Sequence, residues 1–598
     1  MRTLLIVTTL AACSGRTAPT PSGTPDAPTD AKSWIEGVDT QLHALWHAQE
    51  EAWWAYETDI TDANEAVAVE KEEAVMAFLS EVVPQVGRFD DAKTDPATAR
   101  QLMLLRRATP LPAPPDAALR AELAGISAEL SGMYGKGEYC TDAGCRDLGE
   151  LEAVMSTSRD PAALLDAWQG WRTVSPPMKS KYARFVELGN AGAKANGFDD
   201  LGDLWRSGYD MEPDAFETDV DRLWDQVRPL YEQLHCHVRA ELQETYGDAV
   251  PASGPLPAHL LGNMWSQSWG NIYPLVEPYP GQASLDVTAT LKSQGWDDQR
   301  MVKTAEGFFM SLGLDPLPDT FWERSMFLKP ADREVVCHAS AWDVGMRDDL
   351  RIKMCIRPTM EDLVTIHHEL GHLYYDHYYH TRPVLFQQGA NDGFHEAIGD
   401  AIALSITPTY LKSLGLLEEV SESDEAVINK QMLDALDKVA FLPFGRMIDQ
   451  WRWEVFDGRV TPAQYNERWW ELRRKYQGIV APIDRADDAF DPGAKYHIPA
   501  NTPYMRYFLA AVLQFQFHRA MCERAGHEGP LHTCSVYGSK EAGTAMRELL
   551  ALGASKPWPD ALEAMTGTRQ ADASALREYF APLEGWLAEQ NEGRSCGW

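Results

Sequence analysis

Positive charge is scarce in this chain of 598 residues. It has 54 Lys and Arg against 89 Asp and Glu, which gives a formal net charge of −35 at pH 7. A protein that binds nucleic acid neutralises phosphates with a basic patch or stripe, and we find no such stripe along the sequence. The negative net charge instead favours solubility and repulsion between copies of the chain. We therefore expect no nucleic-acid partner.

Long apolar runs are also missing after the first dozen residues. No later segment reaches the roughly 18 consecutive apolar residues that a membrane-spanning helix needs. Alternating β-branched runs are scarce too, whereas residues 220–246 and 425–456 repeat apolar side chains at spacings of three and four. Two short pieces, "EVVCHASAWD" and "LRIKMCIRP", favour a small β hairpin. With no internal repeat and no second linker, the sequence predicts one mainly α-helical unit.

The N-terminus has the form of an export signal. Arg2 precedes a short apolar stretch, and "LAAC" at residues 10–13 resembles the bacterial lipobox, whose cysteine is lipidated and becomes the mature N-terminus. We predict a signal peptide at residues 1–12 and lipidation of Cys13; ordinary cleavage nearby and an uncleaved segment are the alternatives.

Residues 13–32 cannot build a core and are predicted to be a tether. Residues 33–598 would form a single domain of two subdomains, lipid-anchored in the periplasm or at the cell surface.

The cysteines are compatible with disulfides because export places a chain where disulfides form. Three pairs are close in sequence: Cys140 with Cys145, Cys337 with Cys355, and Cys522 with Cys534. Cys236 and Cys596 are left over. Spacing alone does not establish connectivity, and buried free thiols are the alternative.

One stretch, "TIHHELGHLYYDHYYHTRP" at residues 365–383, holds five of the 16 histidines. His368 and His372 flank Glu369 in the pattern H-E-x-x-H. Positions i and i+4 of a helix share a face, so both rings can reach one zinc ion, and Glu369 can reach water held by it. A solvated polar helix face is the alternative. The other histidines fit no ligand spacing and are predicted to be surface or supporting residues: His367, His377 and His380.

A catalytic zinc site combines three protein ligands with one open position. Glu396 follows His372 by 24 residues in "GFHEAIGDAIALS", and Asp400 follows Glu396 by four. We predict Glu396 as the third ligand and Asp400 as the acceptor of the outer N–H of a ligating histidine, which fixes the ring's tautomer. Paired carboxylates also occur on exposed helices, but this segment is too apolar to be fully solvated.

At these residues the chain resembles the angiotensin-converting enzyme family, the gluzincin peptidyl-dipeptidases. "HHELGH" and "GANDGFHEAIGD" are similar to the family's zinc motifs at the same separation, and "GPLPAHLLGNMWSQSWGNIYPLV" and "FDPGAKYHIPANTPYMRYF" extend the likeness. The resemblance covers roughly residues 33–585 and is dense after residue 254. It implies an almost wholly α-helical fold of two lobes around a deep cleft, lidded by N-terminal helices, with disulfides at the three local cysteine pairs.

The resemblance implies a role for each site residue. The zinc ligands would be His368, His372 and Glu396, with Glu369 as the general base and later the acid. The residues that match supports of the tetrahedral intermediate are His497 and Tyr507, both of which can donate to an oxyanion. The residues that match contacts to the peptide backbone are His338 and Ala339. Those that match the grip on the substrate's terminal carboxylate are Gln267, Lys495 and Tyr504.

The three carboxylate-binding residues select the reaction. Binding the terminal carboxylate two residues beyond the zinc releases dipeptides, whereas a single-residue carboxypeptidase of the same family has arginine at the position of Gln267. The sequence thus predicts a zinc-dependent dipeptidyl carboxypeptidase that is a monomer and takes oligopeptide substrates. The alternatives are a single-residue carboxypeptidase or endopeptidase, and a catalytically silent peptide-binding homologue. The silent homologue would show damaged catalytic residues, and none is damaged.

Members of the family are often activated by chloride, and the matching residues differ here. Arg506 matches one chloride-binding arginine, and we match its tyrosine partner to His237 in "LHCHVRA". Trp469 and Arg473 match part of another chloride site. We therefore predict weak or altered chloride activation.

Overall fold

A computed structural model describes residues 30–282, 285–420 and 423–598. The predicted signal peptide, Cys13 and most of the predicted tether lie outside the described residues. The first helix begins at Ala31, so the prediction that residues 31 and 32 belong to the tether is wrong. The Asp30 carboxylate accepts a hydrogen bond from the Ser33 N–H at 3.0 Å. This cap satisfies one of the free donors of the first turn and sets the start of the helix.

The described residues are mainly α-helical, as the spacing of apolar residues predicts. The first twelve helices are α1 Ala31–Thr58, α2 Asp62–Val82, α3 Pro96–Arg106, α4 Ala117–Gly135, α5 Leu148–Thr157, α6 Pro161–Trp171, α7 Lys179–Ala195, α8 Leu201–Ser207, α9 Pro213–Tyr246, α10 Tyr273–Val276, α11 Thr288–Ser293 and α12 Asp298–Ser311. The others are α13 Asp319–Arg324, α14 Met360–Tyr379, α15 Phe394–Ala403, α16 Pro408–Ser413, α17 Asp424–Phe456, α18 Tyr465–Leu472, α19 Met505–Arg524, α20 Lys540–Leu550, α21 Trp558–Thr566, α22 Ser574–Tyr579 and α23 Ala581–Gln590. Within the described ranges, none of these helices is long and apolar enough to cross a membrane.

In the part of the chain that the structure describes, short strands pair into three two-stranded sheets. Two of these pairs are antiparallel: β1 Tyr139–Thr141 with β2 Gly144–Arg146, and β4 Ser340–Asp343 with β5 Leu350–Lys353. The third pair is parallel: β3 Leu256–Pro257 with β6 Ile479–Val480. The β4–β5 hairpin is the one that the two strand-like pieces predict. In its register Ser340 lies opposite Lys353 and Asp343 lies opposite Leu350.

Helix α17 lies at the centre of the main hydrophobic core. From Leu442 to Phe456 every one of its residues is buried, so the helix is packed on all sides. A helix buried all round has no solvent-facing stripe. A smaller hydrophobic cluster lies beneath α1 and α2, where Ile35 and Leu42 pack with Val75. Met346, from the loop of the β4–β5 hairpin, is buried in this smaller cluster and joins it to the hairpin.

Two glycines allow helices α14 and α15 to touch. A Cβ atom added to Gly371 would lie 2.8 Å from the Gly399 Cα, and one added to Gly399 would lie 2.8 Å from both the His368 Nδ1 and its carbonyl oxygen. Real Cβ atoms essentially never approach other atoms within 3.0 Å. Helix α15 also packs on α19, since a Cβ on Gly393 would lie 3.1 Å from the Arg506 carbonyl oxygen. The three helices therefore form one tight stack.

Four disulfides are formed among the described residues. Three are the predicted local pairs, Cys140–Cys145, Cys337–Cys355 and Cys522–Cys534. The fourth joins the two unassigned cysteines, Cys236 and Cys596, which are 360 residues apart in sequence and 5.1 Å apart between Cα atoms. This pair ties α9 to the C-terminal segment. The Cys337–Cys355 bond closes the base of the β4–β5 hairpin.

Candidate active site

Helix α14 carries the H-E-x-x-H motif. The Thr359 hydroxyl caps its N-terminus by accepting a hydrogen bond from the Asp362 N–H at 3.1 Å. From that start, the helical period places His368 and His372 on one face, with 3.0 Å between their Nε2 atoms. Two ring nitrogens this close on one helix face can both reach the same cation.

Glu396, in the first turn of α15, completes a group of three donor atoms. Its Oε2 lies 3.6 Å from the His368 Nε2 and its Oε1 lies 3.9 Å from the His372 Nε2. Ligands at 2.0–2.1 Å from a tetrahedral zinc ion stand about 3.3–3.5 Å apart. The spacings of this group bracket that value, and two imidazoles with one carboxylate are ligands that zinc prefers. The residues present therefore fit a catalytic zinc ion.

Asp400 orients the first histidine. Its Oδ1 lies 3.1 Å from the His368 Nδ1. Burial alone would raise the pKa of Asp400, but the charge of Lys438 and the hydrogen bond with His368 hold it at about 2. Burial alone would lower the pKa of His368, but the hydrogen bond and charge of Asp400, together with Glu396, raise it to about 9. The ionised carboxylate thus turns the ring so that Nε2 points to Glu396 and His372.

Glu369 is buried on the same helix, with 7% of its surface exposed. Burial raises the pKa of its carboxyl group, and the charges of His368, Glu396 and His338 also act on it. A carboxylate whose pKa is raised towards neutrality is a stronger base than one in water. Because the charges of His368 and Glu396 act on it, the Glu369 carboxylate lies near two of the three grouped donors.

His497 and Tyr507 lie together, with ring centroids 5.8 Å apart. Burial, with the charges of Lys495 and Arg452, lowers the pKa of His497 to about 2, so its ring is neutral at pH 7. Burial raises the pKa of Tyr507 to about 12, and the charge of Glu396 adds to this increase. Both groups therefore keep a proton to donate at neutral pH, and Tyr507 faces the charge of the Glu396 carboxylate.

A buried ion pair on α17 holds this segment in place, and no sequence motif indicates it. The Arg452 guanidinium donates to Asp449, and its Nη1 also donates to the His497 carbonyl oxygen at 2.9 Å. The Asp449 Oδ2 accepts the backbone N–H groups of Tyr504 and Met505 at 2.8 and 2.7 Å. Both charged side chains are essentially unexposed. The pair fixes the backbone from which His497 and Tyr507 project.

The three residues matched to carboxylate binding also meet. The Lys495 Nζ donates to the Gln267 Oε1 at 2.7 Å, and the Tyr504 hydroxyl lies 3.4 Å from the same oxygen. The Lys495 ammonium also lies 4.1 Å from the centre of the Trp265 ring. Burial lowers the pKa of Lys495 to about 7, although the charge of Glu152 on α5 opposes this. A buried cation, an amide and a hydroxyl are suited to a carboxylate ligand.

His338 and Ala339 lie just before β4, and the structure shows what supports them. The buried Lys353 ammonium donates to the carbonyl oxygens of Val336 and His338, at 2.9 and 2.8 Å. It also pairs with Glu57 of α1 at 3.0 Å. The electrostatic effect of His338 on the Glu369 carboxyl group indicates that the two residues lie near each other. Lys353 and Glu57 were not identified from the sequence, because neither belongs to a local motif.

The other histidines of α14 differ from one another. His367 is fully buried and supports the helix through contacts with the Tyr410 hydroxyl at 3.1 Å and the Leu363 carbonyl oxygen at 2.8 Å. His377 and His380 lie at the far end of α14, next to Asp348. His395, for which the sequence predicts no role, lies with its Nδ1 3.4 Å from the Nδ1 of His372.

The match of His237 to the tyrosine partner of Arg506 is wrong. The His237 ring packs on Trp586 at 5.0 Å, and its pKa is set by burial and by Arg594, not by Arg506. Two tyrosines lie close enough to Arg506 to influence its pKa, Tyr209 and Tyr507, and Tyr209 also hydrogen-bonds to Asp392. The motif around residue 237 resembles the expected one locally, but the fold turns that part of α9 towards the C-terminal segment.

A carboxylate also lies beside Arg506. The Arg506 Nε is 3.1 Å from the Asp392 Oδ2. Elsewhere, Arg473 lies with its guanidinium 5.9 Å from the Trp469 ring centre. Burial and the repulsion of a second buried arginine, Arg172, lower the pKa of Arg473 to about 9. The Nε atoms of Arg172 and Arg473 have no hydrogen-bond partner among the described residues, and both are buried.

Comparisons with known proteins agree on one family. The peptidase M2 family model, described as angiotensin-converting enzyme, matches residues 26–598. Angiotensin-converting enzyme from Bos taurus is 44% identical over 577 residues, which cover 95% of this chain and 44% of that relative. The enzyme from Mus musculus is 44% identical over 576 residues with the same coverage. The one from Theromyzon tessulatum is 41% identical over 584 residues, which cover 95% of this chain and 93% of that relative. The chain thus spans less than half the length of the Bos taurus and Mus musculus relatives.

Substituting Gly399 by alanine tests the helix contact beneath the site. The new Cβ would meet the His368 Nδ1 at 2.8 Å, where Asp400 now binds. We expect zinc affinity to fall by about 10- to 100-fold, the usual effect of losing such an orienting contact. The matched control is Gly307→Ala on α12, where a Cβ meets nothing within 4 Å. A competition titration against a chelator measures both variants; equal zinc affinity in Gly399→Ala and wild type would contradict the account.

Proposed function

The chain belongs to the angiotensin-converting enzyme family, peptidase family M2, and we propose that it is a zinc-dependent dipeptidyl carboxypeptidase that releases C-terminal dipeptides from oligopeptides. One observation carries this proposal. A donor set suited to zinc, His368, His372 and Glu396, occurs in the same chain as a carboxylate-binding group around Lys495. A peptidase that cuts near a C-terminus needs both.

We infer that zinc is held by His368, His372 and Glu396. Bound there, the ion would polarise the scissile carbonyl group and lower the pKa of a water molecule. The role of Asp400 is to keep the His368 ring in the tautomer that offers Nε2. The two glycines between α14 and α15 keep Glu396 within reach of both rings.

Glu369 acts as the base and then as the acid. Its carboxylate takes a proton from the attacking water as the oxygen bonds to the scissile carbon. It then delivers that proton to the nitrogen of the departing amine as the C–N bond breaks, so protons balance over the cycle. Burial supports the first step, because the raised pKa of the carboxyl group makes the carboxylate a stronger base.

His497 and Tyr507 stabilise the negative charge that develops on the carbonyl oxygen. Donors that are already in place are worth more than donors that must reorganise. The Asp449–Arg452 pair supplies that preorganisation through its hydrogen bonds to the backbone of the segment that carries both residues. The pKa of Tyr507 near 12 keeps its hydroxyl protonated and able to donate.

The substrate's terminal carboxylate binds to Lys495, Gln267 and Tyr504. The Lys495 ammonium supplies the charge, and the amide and hydroxyl supply hydrogen bonds. His338 and Ala339 run beside the substrate backbone. This arrangement favours dipeptide release over removal of one residue, which the family achieves with an arginine at the position of Gln267.

Export and anchoring complete the proposal. We infer that the chain is a monomer attached to the membrane by a lipid on Cys13, outside the cytoplasm, after removal of residues 1–12. The lipobox-like "LAAC" supports the anchor, and the four disulfides support an oxidising compartment. The substrates would then be extracytoplasmic peptides.

Product analysis on a decapeptide tests the reaction. We expect mass spectrometry to find a C-terminal dipeptide as the first product, and a chelator to stop its release. Glu369→Gln keeps the shape of the side chain but removes the base, so turnover should fall by several orders of magnitude while zinc remains bound. Single amino acids as first products would favour the single-residue carboxypeptidase instead, and full activity of Glu369→Gln would remove the mechanism.

The pH dependence of the Michaelis constant tests the role of Lys495. Its pKa near 7 means that the free enzyme carries the ammonium charge below pH 7 and loses it above. Since the substrate carboxylate needs that charge, KM should rise above pH 7 and approach about tenfold per pH unit, while kcat changes less. Lys495→Arg keeps its charge and should flatten the KM profile. A wild-type KM that is constant up to about pH 9 would contradict this role.

Chloride dependence tests the pair of Arg506 and Asp392. We infer that the Asp392 carboxylate occupies the position of an anion beside Arg506, which supports weak chloride activation. Wild-type activity should change little when chloride replaces acetate at constant ionic strength. Asp392→Ala leaves the guanidinium without its carboxylate and should make activity depend more strongly on chloride, whereas Asp392→Glu should behave like the wild type. A steep chloride response in the wild type would refute this interpretation.

A further inference from the structure

A second group of metal-ligating side chains lies at the far end of α14. It consists of Asp348, His377 and His380, and one donor atom from each lies within 4.8 Å of the others. The His377 Nδ1 is 2.5 Å from the Asp348 Oδ1, and the His380 Nδ1 is 3.9 Å from the same oxygen. Their side chains are 17%, 24% and 27% exposed for His377, Asp348 and His380. An ion can therefore enter, and water can complete its coordination.

Two other groups among the described residues have ligand-like spacing, but their cysteines are not available. Cys140 and Cys145 form one disulfide, and Cys522 and Cys534 form another. A thiol that is oxidised to a disulfide has no thiolate to offer a metal. The group at Asp348 consists of imidazole and carboxylate donors only, so oxidation does not remove it.

Helix geometry favours a cation at this place. His377 is in the last turn of α14 and His380 is its C-cap residue. Residues three apart lie on one face of a helix, and their ring centroids are 5.8 Å apart. The last carbonyl groups of a helix carry a partial negative charge that attracts cations. The His380 Nδ1 lies 2.6 Å from the His377 carbonyl oxygen, which can only accept, so the lone pair of neutral His380 is on Nε2.

Asp348 lies on a loop whose backbone conformation is fixed by hydrogen bonds and packing. The Asp343 carboxylate accepts the backbone N–H groups of Arg347, Asp348 and Asp349 at 3.3, 3.2 and 2.9 Å. Met346 and Asp348 have φ values of 52° and 74°, a region that residues other than glycine rarely adopt. The buried Met346 side chain anchors the loop in the cluster beneath α1 and α2. These contacts keep the Asp348 carboxylate directed at the end of α14.

An ion pair between His377 and Asp348 would account for two of the three residues. It does not account for the second imidazole, since a ring nitrogen of His380 also lies within 4.8 Å of the donor atoms of His377 and Asp348. Two histidines and one carboxylate are a common ligand set for zinc and related transition metals. We propose that Asp348, His377 and His380 form a second metal site, which takes a divalent transition-metal ion such as Zn²⁺.

Binding requires the three side chains to rearrange locally, and His380 must direct its Nε2, which carries the lone pair, towards the ion. The ion replaces the proton that His377 and Asp348 share, so their donor atoms must separate from 2.5 Å to about 3.3 Å, the spacing of ligands around tetrahedral zinc. The ion would cross-link the tip of the β4–β5 hairpin to α14. The hairpin follows His338 and Ala339, and α14 carries His368 and His372. The second ion would thus brace two elements of the candidate active site against each other.

Zinc stoichiometry of the full chain tests the proposal. Each variant is dialysed against the same micromolar concentration of Zn²⁺, and zinc per chain is measured by mass spectrometry with an inductively coupled plasma. We expect two ions in the wild type, one in His377→Leu, one in His372→Ala and none in the double variant. Asp348→Asn, which keeps the side-chain shape, should also bind one. The matched control His527→Ala, on the loop between Cys522 and Cys534, should bind two.

A wild type that binds one ion, and keeps it in both His377→Leu and Asp348→Asn, would overturn the second site. So would a second ion that persists in both His377→Leu and Asp348→Asn, because the ion would then be bound elsewhere. Circular dichroism and thermal unfolding of each variant show whether lost zinc reflects lost folding; Asp348→Asn is the variant expected to fold like the wild type. The result is independent of catalysis: two ions in a chain that hydrolyses no peptide would contradict the proposed function and leave the second site standing.

Discussion

The contact between Gly371 and Gly399 is the constraint on which the candidate active site depends. It lets α14 and α15 approach until their backbones touch, at a spacing that any side chain would prevent. Only at this spacing can the carboxylate of Glu396, on one helix, lie within 4 Å of the Nε2 atoms of both histidines on the other. The same closeness sets Asp400 beside His368. The two glycines, Gly371 and Gly399, thus allow the donor set suited to zinc to form.

The candidate active site also depends on hydrogen-bond donors that are held in fixed positions. Buried charged side chains hold them there. A buried ion pair adds little to stability on balance, because desolvation of the two charges offsets their attraction. The main effect of the Asp449–Arg452 pair is therefore to position the backbone that it binds. Its remaining hydrogen bonds go to the backbone at His497, Tyr504 and Met505. Lys353 plays a similar part for the segment that carries His338, just before β4. Both are charged groups that position neighbouring backbone.

Local patterns were predictable from the sequence, and long-range partners were not. The i, i+4 spacing of His368 and His372, the three short cysteine pairs and the β4–β5 hairpin depend on neighbours in sequence, which helical and strand periods describe. Cys236 and Cys596 meet only after the fold brings together positions 360 residues apart. Asp449 and Arg452 occupy ordinary helical positions, so nothing in their spacing indicates their role. The error at His237 has the same origin, since a local match cannot say which tyrosines the fold brings near Arg506; they are Tyr209 and Tyr507.

Anomalous diffraction at the zinc absorption edge, on crystals of the full chain grown with Zn²⁺, tests the central claim most directly. The account predicts a strong peak at bonding distance, about 2.0–2.2 Å, from the His368 Nε2, the His372 Nε2 and one Glu396 carboxylate oxygen. The His368 Nδ1 should remain bonded to Asp400. A well-occupied zinc peak that lacks Glu396 as a ligand, or no peak between the two histidines, would contradict it.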